Sequence, residues 1–347
     1  MSVVLGVIGC GRIGKTHLGN IAKGVRGVTV KYVCDLLIES DGEMAKFAAE
    51  NAPGAVQTTD YRVVMADSEV AAVLCLTSTN AHVEVCRAAI DAGKHVFCEK
   101  PVAMSVEETR ELLERSERRG VHFQVGFNRR FDHNFAQVRK TVESGRIGKA
   151  TVVHVISRDP TYDMNYIRRS IEEGGMFVDM TIHDFDMVQF IAGPEDPIVE
   201  VYALGTSVVA PDIGELGDID TAVVTLRTQS GMFATIDNTR RTDYGYDQRL
   251  EVLGTKGCVQ CDNDRPTTCR YLVGDGLTET DRIQWWFLER YPQAFIQEIN
   301  DFVALVRSND PAAKPQVSLR EMIRAMNVAY ACIKSQKTGL PVKVDQF

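Results

Sequence analysis

The stretch Val3-Val4-Leu5-Gly6-Val7-Ile8-Gly9-Cys10-Gly11-Arg12-Ile13-Gly14 (VVLGVIGCGRIG) decides the fold. Residues 3–8 are a short apolar run rich in β-branched side chains, the pattern of a strand buried on both faces in a parallel sheet. The run passes straight into G-x-G-x-x-G, and a helical pattern starts at once over 15–23. Strand, glycine turn and helix together make the context that a dinucleotide fingerprint requires. Gly9 makes the tight turn, Gly11 lets backbone approach a pyrophosphate, and Gly14 lets helix and strand pack closely; Arg12 and Ile13 lie between them at the helix N-terminus that faces the phosphates. A second strand over 28–34 ends at Asp35. A carboxylate roughly 20 residues past the glycines accepts the ribose hydroxyls of NAD and repels the 2′-phosphate of NADP. No Arg or Lys follows closely to neutralise it, so NAD is the expected cofactor.

The strand–helix alternation continues. Helices are predicted over 41–51 and 61–67, a strand over 71–76, a helix to about 92, a strand over 95–98, a helix over 106–119 and a strand over 121–126. Ligands of such sheets bind outside the carboxyl ends of the strands. Thr77, Asn80, His82, Glu99 and Lys100 fall at those ends, on the edge that carries the glycines, and are read as cofactor contacts. Pro101 keeps Lys100 out of the helical region, where a cation can position a substrate hydroxyl and relay a proton.

After about residue 149 the rhythm changes to alternating segments over 150–158, 198–205, 221–228, 232–238, 249–254 and 258–261, separated by turn residues such as Gln229-Ser230-Gly231. This is the pattern of an antiparallel meander. Two amphipathic helices follow, over 293–307 and 318–336. The expected fold is an α/β Rossmann domain, 1–125, plus an α+β domain with a large, mainly antiparallel open sheet, 126–347, whose C-terminal helix packs back on the first domain. Within the second half, the apolar run MFVDMTIHDFDMVQFIAG carries Asp179, His183 and Asp186 at helical spacing, one face of a single helix. Desolvating ionisable groups in neighbouring turns is costly unless they are paired or used, which points to chemistry.

Net charge is −8 and no basic run is present, which argues against nucleic acid as a partner. No apolar stretch approaches the length of a membrane span, and the glycine fingerprint lies where a removable signal would sit, so neither membrane nor secretion is expected. Nine cysteines, several in presumed strands (Cys34, Cys75, Cys98), suit a reducing cytoplasm. Cys258, Cys261 and Cys269 lack a fourth ligand and are read as strand residues; no metal is expected.

Several of these residues carry a resemblance. Glu99-Lys100-Pro101, Gly126-Phe127-Asn128-Arg129-Arg130-Phe131-Asp132, Gly174-Gly175, Asp179…His183 and Tyr244-Gly245-Tyr246-Asp247, with Gly9 to Gly14, make the whole chain similar to the Gfo/Idh/MocA oxidoreductases, most of all to their inositol dehydrogenases. The resemblance implies a Rossmann domain followed by a sheet whose open face holds the substrate, and a homotetramer. It implies Lys100, Asp179 and His183 as the catalytic trio, with His183 as base. Arg130 and Tyr246 become contacts to a polyol, and Asn165 and Tyr166, with Arg158, lie in a segment that varies with substrate. The implied reaction is NAD-dependent oxidation of a secondary hydroxyl of a cyclic polyol, myo-inositol to 2-keto-myo-inositol (scyllo-inosose). Scyllo-inositol or an aldopyranose is the alternative substrate. A non-catalytic NAD-binding sensor is the alternative of a different class; it would need the glycines and Asp35 but not the trio.

Overall fold

The apolar run that opens the chain becomes the central strand of its sheet. In the computed structural model, which describes residues 2–346, β1 (Val3–Ile8), β2 (Val28–Cys34), β3 (Val56–Thr58), β4 (Ala72–Cys75), β5 (His95–Glu99) and β6 (Phe123–Gly126) pair in parallel in the order β3-β2-β1-β4-β5-β6. Helices α1 (Arg12–Gly24), α2 (Gly42–Asn51), α3 (Tyr61–Ala66), α4 (Thr79–Asp91) and α5 (Val106–Arg119) connect them. Local chemistry sets their ends. Asp41 accepts the amides of Glu43 and Met44 at the start of α2, Ser105 caps α5, and Gly120 stops α5 in the left-handed region at φ 69°. Strand β3, only three residues long, is one the sequence pattern did not single out.

The order of strands reverses between β1 and β4, and there the glycines are needed. Gly9 has φ 97°, and a Cβ on it would lie 2.5 Å from the Leu76 carbonyl carbon and oxygen. A Cβ on Gly14 would lie 2.2 Å from the Gly9 oxygen. At Gly11 nothing stands within 4 Å of the added carbon, so the space in front of α1 is open.

A short 3-10 turn (Asn128–Phe131) follows β6. Next come α6 (His133–Glu143), β7 (Ala150–Arg158), α7 (Met164–Glu172), α8 (Gly175–Asp179), α9 (Ile182–Ala192), β8 (Ile198–Thr206), α10 (Pro211–Glu215), β9 (Thr221–Thr228), β10 (Phe233–Thr239), β11 (Asp247–Gly254), β12 (Gly257–Cys261), the hairpin β13 (Arg270–Leu272) and β14 (Thr278–Thr280), and α11 (Phe287–Arg290). The chain closes with α12 (Pro292–Ser308), α13 (Leu319–Thr338) and β15 (Val342–Lys343). Seven strands form the second sheet in the order β12-β11-β7-β10-β9-β8-β15. It is antiparallel except for β7 and β10, which run parallel because the long excursion through α7 to β9 supplies the crossover that parallel pairing needs. Alternation along the strands is clean. Val153 and Val155, Ala222 and Val224, Ala234 and Ile236 are buried on the face that meets α9, while Tyr202, Leu204, Val223, Phe233 and Leu253 stay exposed on the other.

Backbone contacts divide the chain into two units, 1–131 with 292–323, and 132–291 with 324–347. The sequence reading put the boundary at 125/126. Of the two late helices, α12 joins the first unit, where Ile299, Phe302 and Val303 share one core with Leu5, Val7, Leu18 and Phe97. α13 begins in the first unit and belongs to the second from Arg324 onward. No helix among the described residues is long and apolar enough to cross a membrane.

The glycine geometry separates two variants. Gly14→Ala must push its Cβ into the backbone of residue 9 and should cost about 1–3 kcal/mol of stability, read as a lower urea midpoint. Gly11→Ala meets nothing in the protein and should keep its midpoint, yet weaken NAD binding at least about tenfold (about 1.4 kcal/mol) in a fluorescence titration. Equal midpoints for the two variants would refute this division of roles.

Candidate active site

In the first unit the site is a cradle at the carboxyl edge of the parallel sheet. Helix α1 starts with Gly11 as its cap residue and so has no side-chain cap. Those amides and the helix dipole favour an anion. Arg12 and Ile13 are the first two residues of the helix. Asp35 follows β2; its Oδ2 accepts the Cys10 amide at 2.7 Å and its Oδ1 the Leu37 amide at 2.9 Å. The carboxylate is thus fixed against the glycine loop, and each oxygen keeps a further lone pair for a ribose hydroxyl. Open space at Gly11, an uncapped helix start and a fixed acceptor together fit a dinucleotide.

Thr77 and the exposed Asn80 flank the start of α4. Two residues read from sequence as cofactor contacts are tied into the protein by hydrogen bonds. His82 is 1% exposed, with Nδ1 2.8 Å from the Pro101 carbonyl oxygen and Nε2 3.1 Å from that of Thr77. Glu99 is buried against His17, 2.7 Å away, and accepts the Lys100 amide at 3.2 Å. These contacts brace the ends of β4 and β5. Lys100 leaves the sheet at the cis peptide with Pro101 and is half-buried.

In the second unit the carboxylate of Asp179 is 7% exposed and collects several donors. The Tyr166 hydroxyl donates to Oδ1, the Ser170 hydroxyl to Oδ2 at 3.0 Å, and the Arg240 guanidinium to Oδ2 at 3.3 Å. Arg240 is 2% exposed; its Nη2 also reaches Ser170 Oγ at 3.2 Å and stands 3.6 Å from Asp218, which accepts the Met176 amide. A guanidinium and two hydroxyls thus compensate the desolvation of this buried carboxylate. Gly174 and Gly175, at φ 111° and 70°, turn the chain from α7 into α8 and so bring Tyr166 and Ser170 onto Asp179.

The single helix expected through Asp179 and His183 is broken. α8 ends at Asp179 and α9 begins at Ile182; between them the Thr181 amide reaches five residues back to Met176, and the His183 amide three back to Met180. The local loosening of the ladder puts His183, half-buried, in the first turn of a new helix. Asp186 and Asp184 are fully buried, the latter accepting from Asn238 at 2.9 Å.

Arg130 is buried in the first unit, its Nη1 donating to Glu321 and to the Gln316 carbonyl at 3.0 Å, an ion pair that ties the 3-10 turn to the start of α13. Tyr246 is 5% exposed, packed edge-on to Tyr291 at 5.8 Å. Both are read from sequence as polyol contacts, and both are buried within their own units. Arg158 pairs with Asp237 and receives no role near Asp179; it also donates to Tyr244 at 3.1 Å. Asn165 is exposed in the first turn of α7, its amide on Asp163. Sequence reading missed Arg240, Ser170 and Asp218. A signal for Arg240 existed: it continues the buried alternation Ala234, Ile236, Asn238, and an arginine on an inward face needs a carboxylate.

Comparison with known proteins agrees with both halves of this description. Residues 3–127 match the oxidoreductase family with an NAD-binding Rossmann fold, and residues 135–260 match the GFO/IDH/MocA C-terminal domain. The chain is 41% identical over 344 residues to the myo-inositol 2-dehydrogenase of Thermotoga maritima, covering 99% of this chain and 98% of that one. It is 39% identical to the inositol 2-dehydrogenase of Rhizobium meliloti, over 96% and 97% of the two chains. Among solved structures, a myo-inositol dehydrogenase from Corynebacterium glutamicum superposes with a TM-score of 0.90 at 34% identity, covering both chains completely (100% and 100%). With a Rossmann cradle in one unit and the buried Asp179 cluster in the other, the chain belongs to the Gfo/Idh/MocA family and is an NAD-dependent oxidoreductase.

Proposed function

We propose that this chain oxidises a secondary hydroxyl of a cyclic polyol, with myo-inositol converted to 2-keto-myo-inositol (scyllo-inosose). The reading rests on the inositol dehydrogenases among its relatives and on one structural observation, the buried Asp179 carboxylate gathered by Arg240, Tyr166 and Ser170. A protein that only senses NAD has no use for a desolvated charge at that place. NAD, which the Gly9–Gly14 turn and Asp35 would hold, would supply the hydride acceptor for the carbinol carbon.

The chain's own residues handle the proton and the developing charge. His183 takes the hydroxyl proton as general base, and the fixed negative charge of Asp179 favours the imidazolium that results. Tyr166, Ser170 and Arg240 hold Asp179 in place during the transfer, which keeps the site from reorganising. Lys100 hydrogen-bonds the reacting oxygen and stabilises the alkoxide character it gains. Asn165, in the first turn of α7, and the loop before it are the part of the site expected to vary with substrate, while Tyr166 lies against both Asp179 and the substrate. We further propose that the exposed apolar side chains of the second sheet, Tyr202, Leu204, Val223, Phe233 and Leu253, are covered in a homotetramer, and that the enzyme works in the cytoplasm, where its buried thiols stay reduced.

Three measurements test these statements. NADH formation with NAD and a panel of myo-inositol, scyllo-inositol, chiro-inositol, glucose and xylose should be strongest with myo-inositol; a preferred aldopyranose would refute the cyclitol reading. His183→Ala should lower kcat by roughly 10²–10⁴-fold with NADH binding retained, and near-normal turnover would remove His183 from the role of base. Sedimentation velocity should report a tetramer, and a monomer at micromolar concentration would show that the open sheet face is not an interface.

A further inference from the structure

Beneath the cofactor edge of the first unit lies a group of titratable side chains that the proposed chemistry does not use. His17, on α1, is fully buried with Phe97 and Phe295 edge-on to its ring, each at 5.4 Å. Its Nε2 stands 2.7 Å from Glu99 Oε1 and 3.9 Å from Glu298 Oε1. Glu298 enters from α12 with 0% exposure, and neither of its carboxyl oxygens has a hydrogen-bond partner among the described residues. Glu99 is better provided: it holds His17 and the Lys100 amide, and its side chain keeps 11% exposure. The titratable groups facing Glu298 are therefore His17 from α1 and Glu99 from β5. Strand β6 contributes the neutral Gln124, whose Nε2 donates to the backbone carbonyl of Glu298 at 3.0 Å.

A carboxylate buried without donors takes a proton, and of two competing carboxylates the one with hydrogen bonds keeps the charge. We propose that Glu298 is held as the neutral acid at physiological pH and is a positioning residue: it walls the His17–Glu99 pair without adding a second negative charge, and so keeps Glu99 on the Lys100 amide. Burial first, and then the charge of Glu99, push the Glu298 carboxyl well above the ordinary range. The room for this arrangement is made on β6. Gly126 is the register partner of Glu99, and a Cβ there would lie 3.1 Å from the Glu99 carboxyl carbon.

The polyol substrate plays no part in this inference, and the test uses none, so its failure is separate from failure of the proposed reaction. In the unfolded chain Glu298 titrates near the usual carboxylate value; in the folded protein it holds its proton to higher pH. Its contribution to stability is then full below the unfolded value and is lost as pH rises towards the folded one. Urea unfolding of the wild type and Glu298→Gln, from about pH 5 to pH 8, reads this directly, because the amide cannot ionise. The unfolding constant of the wild type should rise against that of the variant by about tenfold per pH unit; a ratio that stays constant would overturn the proposal. Should the variant fail to fold, infrared spectra of the wild type should show the carbonyl stretch of a protonated carboxylic acid at neutral pH, and absence of that band would overturn it. NAD titrations across pH test the positioning role. The wild type should lose affinity at the alkaline end while Glu298→Gln holds it, and parallel profiles would overturn that role. One equivalent of a divalent cation in purified protein, lost in Glu298→Gln, would likewise overturn it by making the cluster a metal site.

Discussion

Where β1 and β4 part, two stretches of backbone touch with no side chain between them. Gly9 lies against Leu76 and Thr77 so closely that a single added carbon would sit 2.5 Å from the carbonyl. Much else follows from that contact. It lets the chain turn sharply out of β1 and start α1 with its amides aimed at open space. It also brings the ends of β1, β4 and β5 to one edge, so that Asp35, Thr77 and Lys100 gather from distant parts of the sequence. The buried braces serve the same edge. His82 joins the carbonyls of Thr77 and Pro101, and Glu99 joins α1 to the amide of Lys100.

A dry interior sorts its carboxylates by the donors it offers them. Asp179 and Glu298 are both buried acids, yet their surroundings differ in kind. Asp179 has a guanidinium and two hydroxyls on it and can carry charge without water. Glu298 has no donor among the described residues and has a neighbouring carboxylate. The same side-chain chemistry thus yields a charged anchor in one unit and a neutral wall in the other, and the difference comes from which elements deliver donors. For Asp179 these are α7 and the end of β10, residues 9 to 61 positions away in sequence.

Much of the fold was legible because its signals are local. The apolar runs, the glycines, Asp41 and Ser105 as caps and the turn residues between alternating strands act within a few positions of themselves, and the expected strands of both sheets lie close to the observed ones. The misses have physical causes. β3 is too short to show a period. The helix through Asp179 and His183 keeps its apolar spacing across Met180 and Thr181, so a pattern of side chains gave no warning that the hydrogen-bond ladder slips there. Helix α6 hid in a stretch read for its motif, although Asp132 caps it and Phe135 and Val138 are spaced to face a core.

The candidate site divides along the same line. The sequence by itself determined the cofactor cradle, since glycine spacing and the acid after β2 are one-dimensional facts whose chemistry depends on backbone freedom and charge. It also marked Asp179 and His183 as residues too costly to bury for nothing, and Lys100 as a cation that Pro101 keeps out of the helical region. Only the tertiary structure decided who holds them. It chose Arg240, Tyr166 and Ser170 for Asp179, bound His82 to two backbone carbonyls and Glu99 to His17, gave Arg130 to Glu321, and left Glu298 without a donor among the described residues. Those outcomes rest on contacts between residues far apart in the chain, and the energy of a buried charge is set by its neighbours in space, which spacing along the sequence does not encode.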